Sequence, residues 1–181
     1  RLLVTTKGSG TLDLDMVSLF PQDTFKGRKN GLRKDLVLAL KDLNPKFLRF
    51  PGGCASHGNA ITNMYRWKDS IGPVEQRKPN WSIWSYHQTY GLGYFEYFQL
   101  CEDLGMEALP VVPVGVTCGF AKYECVPMNE LQPHIQDVVD LIEFANGPDT
   151  SKWGAERAKM GHPKPFNIKF ISLGNEEHDT P

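Results

Sequence analysis

From residue 31 onward the chain alternates between helix-like and strand-like segments. No other feature limits its fold as much. Leu32, Leu36, Leu40 and Leu43 recur at helical spacing, with Arg33, Lys34, Asp35 and Lys41 between them. A compact strand follows, Lys46-Phe47-Leu48-Arg49-Phe50, and ends at Pro51-Gly52-Gly53. A second helix is predicted with Phe95, Phe98, Cys101 and Leu104 on one face, stopping at Gly105. A strand over 108–116 comes next. A third helix over 131–145 carries Ile135, Val138, Val139, Ile142 and Ala145 at helical spacing. A third strand over 166–173 ends at Gly174. This order argues for an α/β fold, a parallel sheet with helices outside it. Pro110 and Pro113 fit the middle strand poorly, because proline has no ladder donor. The valines at 111, 112, 114 and 116 keep the strand reading.

Residues 1–21 read differently. Leu2-Leu3-Val4-Thr5-Thr6 is apolar and β-branched, and the segment 12–17 alternates with period two. Gly8-Ser9-Gly10 supplies a turn between them. Two strands make no stable unit alone. They are expected to be the end of a β-rich, sandwich-like segment, with a boundary near residue 25. Both ends of the chain are expected to be cuts: it starts without Met, and it stops just after the polar cluster at 174–179.

With 20 basic and 21 acidic side chains, the chain offers nothing to attract nucleic acid. No apolar run approaches the roughly 18 residues of a membrane span. The cysteines Cys54, Cys101, Cys118 and Cys125 form no C-x-x-C pair, and the five histidines show no H-E-x-x-H spacing. Neither a metal site nor a cofactor is expected. Cys118 and Cys125 flank one loop and could pair if the protein is secreted. Asn80-Trp81-Ser82 is the single glycosylation sequon, which favours secretion slightly.

Connections after helices are short, whereas those after strands are long. The segment 54–91 far exceeds an ordinary βα loop and holds Tyr65, Trp67, Trp81, Trp84, Tyr86 and Tyr90. Long loops at the carboxyl ends of parallel strands are where barrel enzymes place their sites. Aromatic rings there suit stacking on sugar faces, although each ring alone could equally be lid packing. The first strand also carries Arg49 among apolar neighbours, where an unpaired charge is costly. It should have an acidic partner or a ligand. The third strand runs into Gly174-Asn175-Glu176-Glu177. A carboxylic acid at a strand mouth is a candidate general acid/base, and glycoside cleavage needs such an acid beside a second carboxylate.

Arg49-Phe50-Pro51-Gly52-Gly53-Cys54, the 67–73 segment Trp-Lys-Asp-Ser-Ile-Gly-Pro, the 90–96 segment Tyr-Gly-Leu-Gly-Tyr-Phe-Glu, and Leu173-Gly174-Asn175-Glu176 together resemble glycoside hydrolase family 51, the α-L-arabinofuranosidases. The 15–21 segment Asp-Met-Val-Ser-Leu-Phe-Pro and Ser151-Lys152-Trp153-Gly154 are similar to its plant-like branch. The motifs occur in order and cover nearly the whole chain.

The resemblance implies a (β/α)8 barrel with an accompanying β-sandwich and a retaining, two-carboxylate mechanism. On that basis residues 26–181 are the N-terminal part of a catalytic TIM barrel. Its length of 181 residues is short of the about 250 that a whole barrel needs. By position, Glu176 is implied as the acid/base, and Asn175, Arg49 and Cys54 as sugar contacts. The nucleophile is implied on a later strand, beyond Pro181. The sequence departs from relatives at Ala55-Ser56-His57-Gly58, where they tend to carry bulkier apolar residues and an acid. The implied activity is exo-acting removal of arabinofuranosyl groups, with an arabinose-containing polysaccharide or oligosaccharide as partner. Residues 1–181 alone are expected to be inactive. Two other readings stay open: a non-catalytic carbohydrate-binding barrel homologue, and a different retaining, endo-acting barrel glycosidase. Glu177 is a rival to Glu176 as the acid.

Overall fold

The computed structural model describes residues 3–15, 17–121 and 123–177. Leu2, Met16, His178 and Asp179, used in the reading above, lie outside the described residues.

Helix α1 (Lys34–Asp42) leads through a four-residue connection into strand β1 (Phe47–Phe50). The helix stops because Leu43 donates back to Leu40 and Lys41, and Asn44 then takes a left-handed φ of 49°. Only part of the expected leucine face is inside. Val37 is buried and Leu32 and Leu40 pack against the core, whereas Leu36 and Leu43 stand exposed.

A one-turn helix, α2 (Cys54–His57), follows β1 directly. The long segment behind it contains short 3-10 turns and a small antiparallel pair, β2 (Asn80–Trp81) with β3 (His87–Gln88). Helix α3 (Tyr94–Leu104) then crosses to strand β4 (Glu107–Val112). Glu96 caps the start of α3 by accepting from the Gly93 backbone N–H at 2.9 Å. Gly105 ends it with φ 68°. The expected face is confirmed, and Tyr94, Tyr97 and Leu100 are buried with it. Two tyrosine hydroxyls that would otherwise be stranded reach strand carbonyls: Tyr94 donates to Val111 at 2.8 Å and Tyr97 to Leu48 at 2.6 Å.

Helices α4 (Gln132–Asn146) and α5 (Lys152–Lys159) pack on each other before β5 (Ser172–Leu173). In α4 the buried residues include Leu141, Phe144 and Ala145, while Ile135, Val139 and Ile142 are exposed. The expected α4 face is therefore only partly the core face. Ser151 caps α5 by accepting from Gly154. Arg157 is fully buried and donates to the carbonyls of Phe144, Gly147, His162 and Pro163.

The strands β1, β4 and β5 form one parallel sheet in the order β1-β4-β5. Its core side is packed by α3 and α4 through Tyr94, Phe98, Leu141 and Phe144. Pro110 lies in the central strand, but β5 pairs with β4 only at Val111 and Val112. At Pro110 the strand has one neighbour, so proline costs fewer ladder bonds. Pro113 lies beyond the strand end. The last strand is much shorter than expected, because residues 166–171 run without pairing to β4.

The described residues from 3 to 23 hold no strand or helix and are exposed throughout, so the two strands expected in this segment are not formed among them. A strand persists by pairing, and none of these described residues pairs with the sheet.

Candidate active site

Because β1, β4 and β5 are parallel, their carboxyl ends open at one rim, and the strand-end motifs meet there. Arg49 is exposed rather than embedded. Its Nη2 donates to Oδ1 of Asn175 at 2.7 Å. The expected acidic partner is thus replaced by an amide. Asn175 Nδ2 in turn donates to Oε2 of Glu176 at 3.1 Å. A guanidinium, an amide and a carboxylate form one chain, with the amide dipole aligned between the two charges. Cys54 approaches the same Glu176 oxygen from α2, with Sγ at 3.8 Å. All four residues singled out in the sequence are therefore brought together.

The backbone makes this convergence possible. Gly174 has φ 72° and Glu176 has φ 58°, so the chain turns sharply as it leaves β5. The Glu176 carboxylate projects outward and is exposed. Glu177 does not compete for that position. Its Oε1 lies 2.6 Å from Nε2 of buried His57, and it also accepts from the Asn175 backbone N–H.

Cys54 is buried. Burial pushes its thiol up to about 12, with Cys118 and the Glu176 carboxylate adding to the effect. It is a protonated, weak donor to Glu176 rather than a thiolate. The Cys118–Cys125 pairing considered above is not formed: all four cysteines are free, Cys118 is buried next to Cys54, and Cys125 is exposed.

The aromatic loop divides into two groups. Tyr65, Trp67 and Tyr90 belong to the hydrophobic core. Trp81, Trp84 and Tyr86 are exposed, and Trp84 sits 6.4 Å from the exposed Phe120. A cleft lined by Pro51, Tyr86, Gln88 and Leu92 lies beside the end of β1. The sequence reading named His57 but gave it no role. The spacing of Cys54 and His57 after two glycines was a usable signal, since positions i and i+3 of one helical turn share a face.

An exposed carboxyl, oriented by an amide and a guanidinium at the rim of a parallel sheet, can bind a polyol and exchange a proton with it. Comparison with known proteins gives the family. The family described as alpha-L-arabinofuranosidase 1 domain matches residues 39–180. This chain belongs to that family, the α-L-arabinofuranosidases of glycoside hydrolase family 51. It is 52% identical over 98% of its length to an extracellular exo-alpha-L-arabinofuranosidase of Streptomyces chartreusis, covering 23% of that protein. It is 42% identical over 98% of its length to alpha-L-arabinofuranosidase 2 of Arabidopsis thaliana, covering 26% of it. Among solved structures, the arabinose-bound MgGH51 α-L-arabinofuranosidase superposes with a TM-score of 0.79 at 39% identity, over 85% of this chain and 24% of that one. The arabinose complex of the Thermotoga maritima α-L-arabinofuranosidase gives a TM-score of 0.62 at 28% identity, over 81% and 26%. The chain thus spans about a quarter of the length of these relatives.

Proposed function

We propose that the protein carrying this chain is a retaining, exo-acting α-L-arabinofuranosidase that removes terminal arabinofuranosyl groups from arabinoxylan- or arabinan-type chains. The observation that carries the reading is the Arg49–Asn175–Glu176 chain at the sheet rim, in a member of this family. In this reading Glu176 protonates the leaving oxygen. Once the glycosyl-enzyme has formed on a second carboxylate, Glu176 withdraws a proton from the attacking water. Asn175 and Arg49 bind the sugar and hold Glu176 in line, and Cys54 contacts the sugar from the opposite wall. The three parallel strands would belong to a (β/α)8 barrel, with the second carboxylate on a later strand. The extracellular description of the Streptomyces relative supports secretion.

The test uses the complete protein and Glu176→Gln. That variant should lose about 10²- to 10⁴-fold in kcat/KM on arabino-oligosaccharides. Azide, a nucleophile that needs no base, should restore turnover of an activated aryl arabinofuranoside. Near-normal cleavage of oligosaccharides by Glu176→Gln, with loss in Glu177→Gln instead, would reassign the acid.

A further inference from the structure

We infer that His57 is a positioning residue for the proton-transfer carboxyl, acting on Glu176 through the residues on either side of it. The inference rests on the reading of Glu176 as acid/base.

His57 is 1% exposed. Its Nε2 lies 2.8 Å from the backbone nitrogen of Asn175 and 2.6 Å from Oε1 of Glu177. These are the two sequence neighbours of Glu176. Its other ring nitrogen, Nδ1, is buried with no hydrogen-bond partner among the described residues. All the polar engagement of the ring is therefore directed at the segment that carries Glu176.

The Asn175 backbone N–H donates to Nε2 at 2.8 Å, and Glu177 Oε1 lies against the same ring nitrogen at 2.6 Å. The same N–H also reaches Glu177 Oε1, so the ring, the backbone of 175 and the carboxyl of 177 meet at one point. The turn closes on itself around one carboxylate oxygen.

This closure matters because Glu176 occupies the left-handed region at φ 58°. A residue with a side chain holds that conformation only when its surroundings impose it. Gly174 confirms how tightly Glu177 is drawn in: a Cβ at 174 would lie 1.9 Å from its Oε1. The support behind His57 is stiff. In α2 the Ser56 carbonyl accepts from the Tyr65 backbone N–H at 3.0 Å. Two positions on, the Gly58 carbonyl accepts from Cys118 N–H at 3.1 Å. Hydrogen bonds from two other segments hold the turn that presents the imidazole. The segment 55–58 is therefore the segment that braces the strand-end turn.

The test compares the complete protein with His57→Ala and His57→Gln on two substrates. One is an arabino-oligosaccharide, whose leaving group needs protonation. The other is 2,4-dinitrophenyl α-L-arabinofuranoside, whose leaving group departs without it. The value of kcat/KM reports events through the first irreversible step, so only the first substrate reads the acid. His57→Ala should lower kcat/KM on the oligosaccharide roughly 10- to 100-fold, the range expected when a reacting group is slightly misplaced. The dinitrophenyl substrate should lose less than about threefold. His57→Gln keeps an acceptor for the Asn175 N–H, with an amide N–H beside it, and should recover most of the loss. Equal losses on both substrates would show a merely structural role and overturn the inference. So would an unchanged oligosaccharide rate. If His57→Ala does not fold, the two-substrate ratio for Glu177→Gln decides in the same way. A wild-type protein that cleaves neither arabinofuranoside overturns the functional reading itself. A normal wild type with parallel losses in the variants overturns only the role of His57.

Discussion

Gly53 lies against the side chain of Asn175, so close that a Cβ at 53 would sit 3.0 Å from both its Oδ1 and its Nδ2. Asn175 cannot retreat without cost, because its two amide atoms are already committed to Arg49 and Glu176. Gly53→Ala should therefore disturb the site more than the fold. In the complete protein it should lower kcat/KM on arabinofuranosides by roughly tenfold or more, while Tm falls by no more than a few degrees. Steady-state kinetics and a thermal melt on the same preparation check this. Full activity would mean that Asn175 need not hold its present position.

Thiol chemistry should separate the cysteines sharply. Burial pushes Cys54 and Cys101 up to about 12, and Cys118 is buried as well. Only Cys125 is exposed. The thiolate is the reacting species, so iodoacetamide at neutral pH should modify Cys125 and spare the other three in the native protein. Peptide mapping by mass spectrometry reads the outcome. Native labelling of Cys54 would contradict the closed environment described for it.

The sequence showed the site more fully than the fold around it. Strand ends and their polar residues are local, so Arg49, Asn175 and Glu176 were legible from the residues, Cys54 entered through the family resemblance, and the four converge. The role of His57 was not legible, because its partners lie about 120 positions away and its four-residue helix is too short to show a period beyond its i, i+3 spacing from Cys54. Helix α5 was missed for a different reason. Its buried residues are Gly154 and Arg157, so it has no apolar stripe to read. In α4 the apolar residues cover more than one face, and spacing alone cannot say which face meets the sheet. Leu141 and Phe144 do so here, leaving Ile135 and Val139 outside. In the described part of residues 3–21 the case is the opposite: alternation is present, but no strand is formed.

Arg157 holds the α4–α5 corner through hydrogen bonds to backbone carbonyls. It donates to four carbonyls at 2.7 to 3.0 Å. Burial lowers its pKa, which records the cost of enclosing the charge. Arg157→Met fills similar space but strands four acceptors. It should cost at least about 3 kcal/mol in a urea melt of the complete protein. Arg157→Lys should recover only part, because an ammonium is a point charge and cannot fan out to four carbonyls. Activity per folded molecule should stay near normal, since none of these contacts reaches the sheet rim. A neutral effect of Arg157→Met would show that water replaces the guanidinium.

Asp103 ties α3 to the turn that precedes α1, accepting from Lys26 at 2.6 Å and from Arg28 in a two-point contact. Burial alone would raise its carboxyl pKa. The hydrogen bonds from Arg28 and Lys26 outweigh that and hold it below the ordinary carboxylate value. The sign of the pH effect follows. Unfolded, this group titrates near about 3.9. Folded, it titrates lower, so its contribution to stability is complete above the unfolded value. That contribution is lost as pH falls through the folded value. Asp103→Asn should therefore lower Tm at pH 6, and the gap to wild type should close as the pH approaches 2. Thermal melts of both proteins across that interval measure the gap. A gap that stays constant down to the lowest pH would mean that Asp103 supports the fold by packing, and not by its charge.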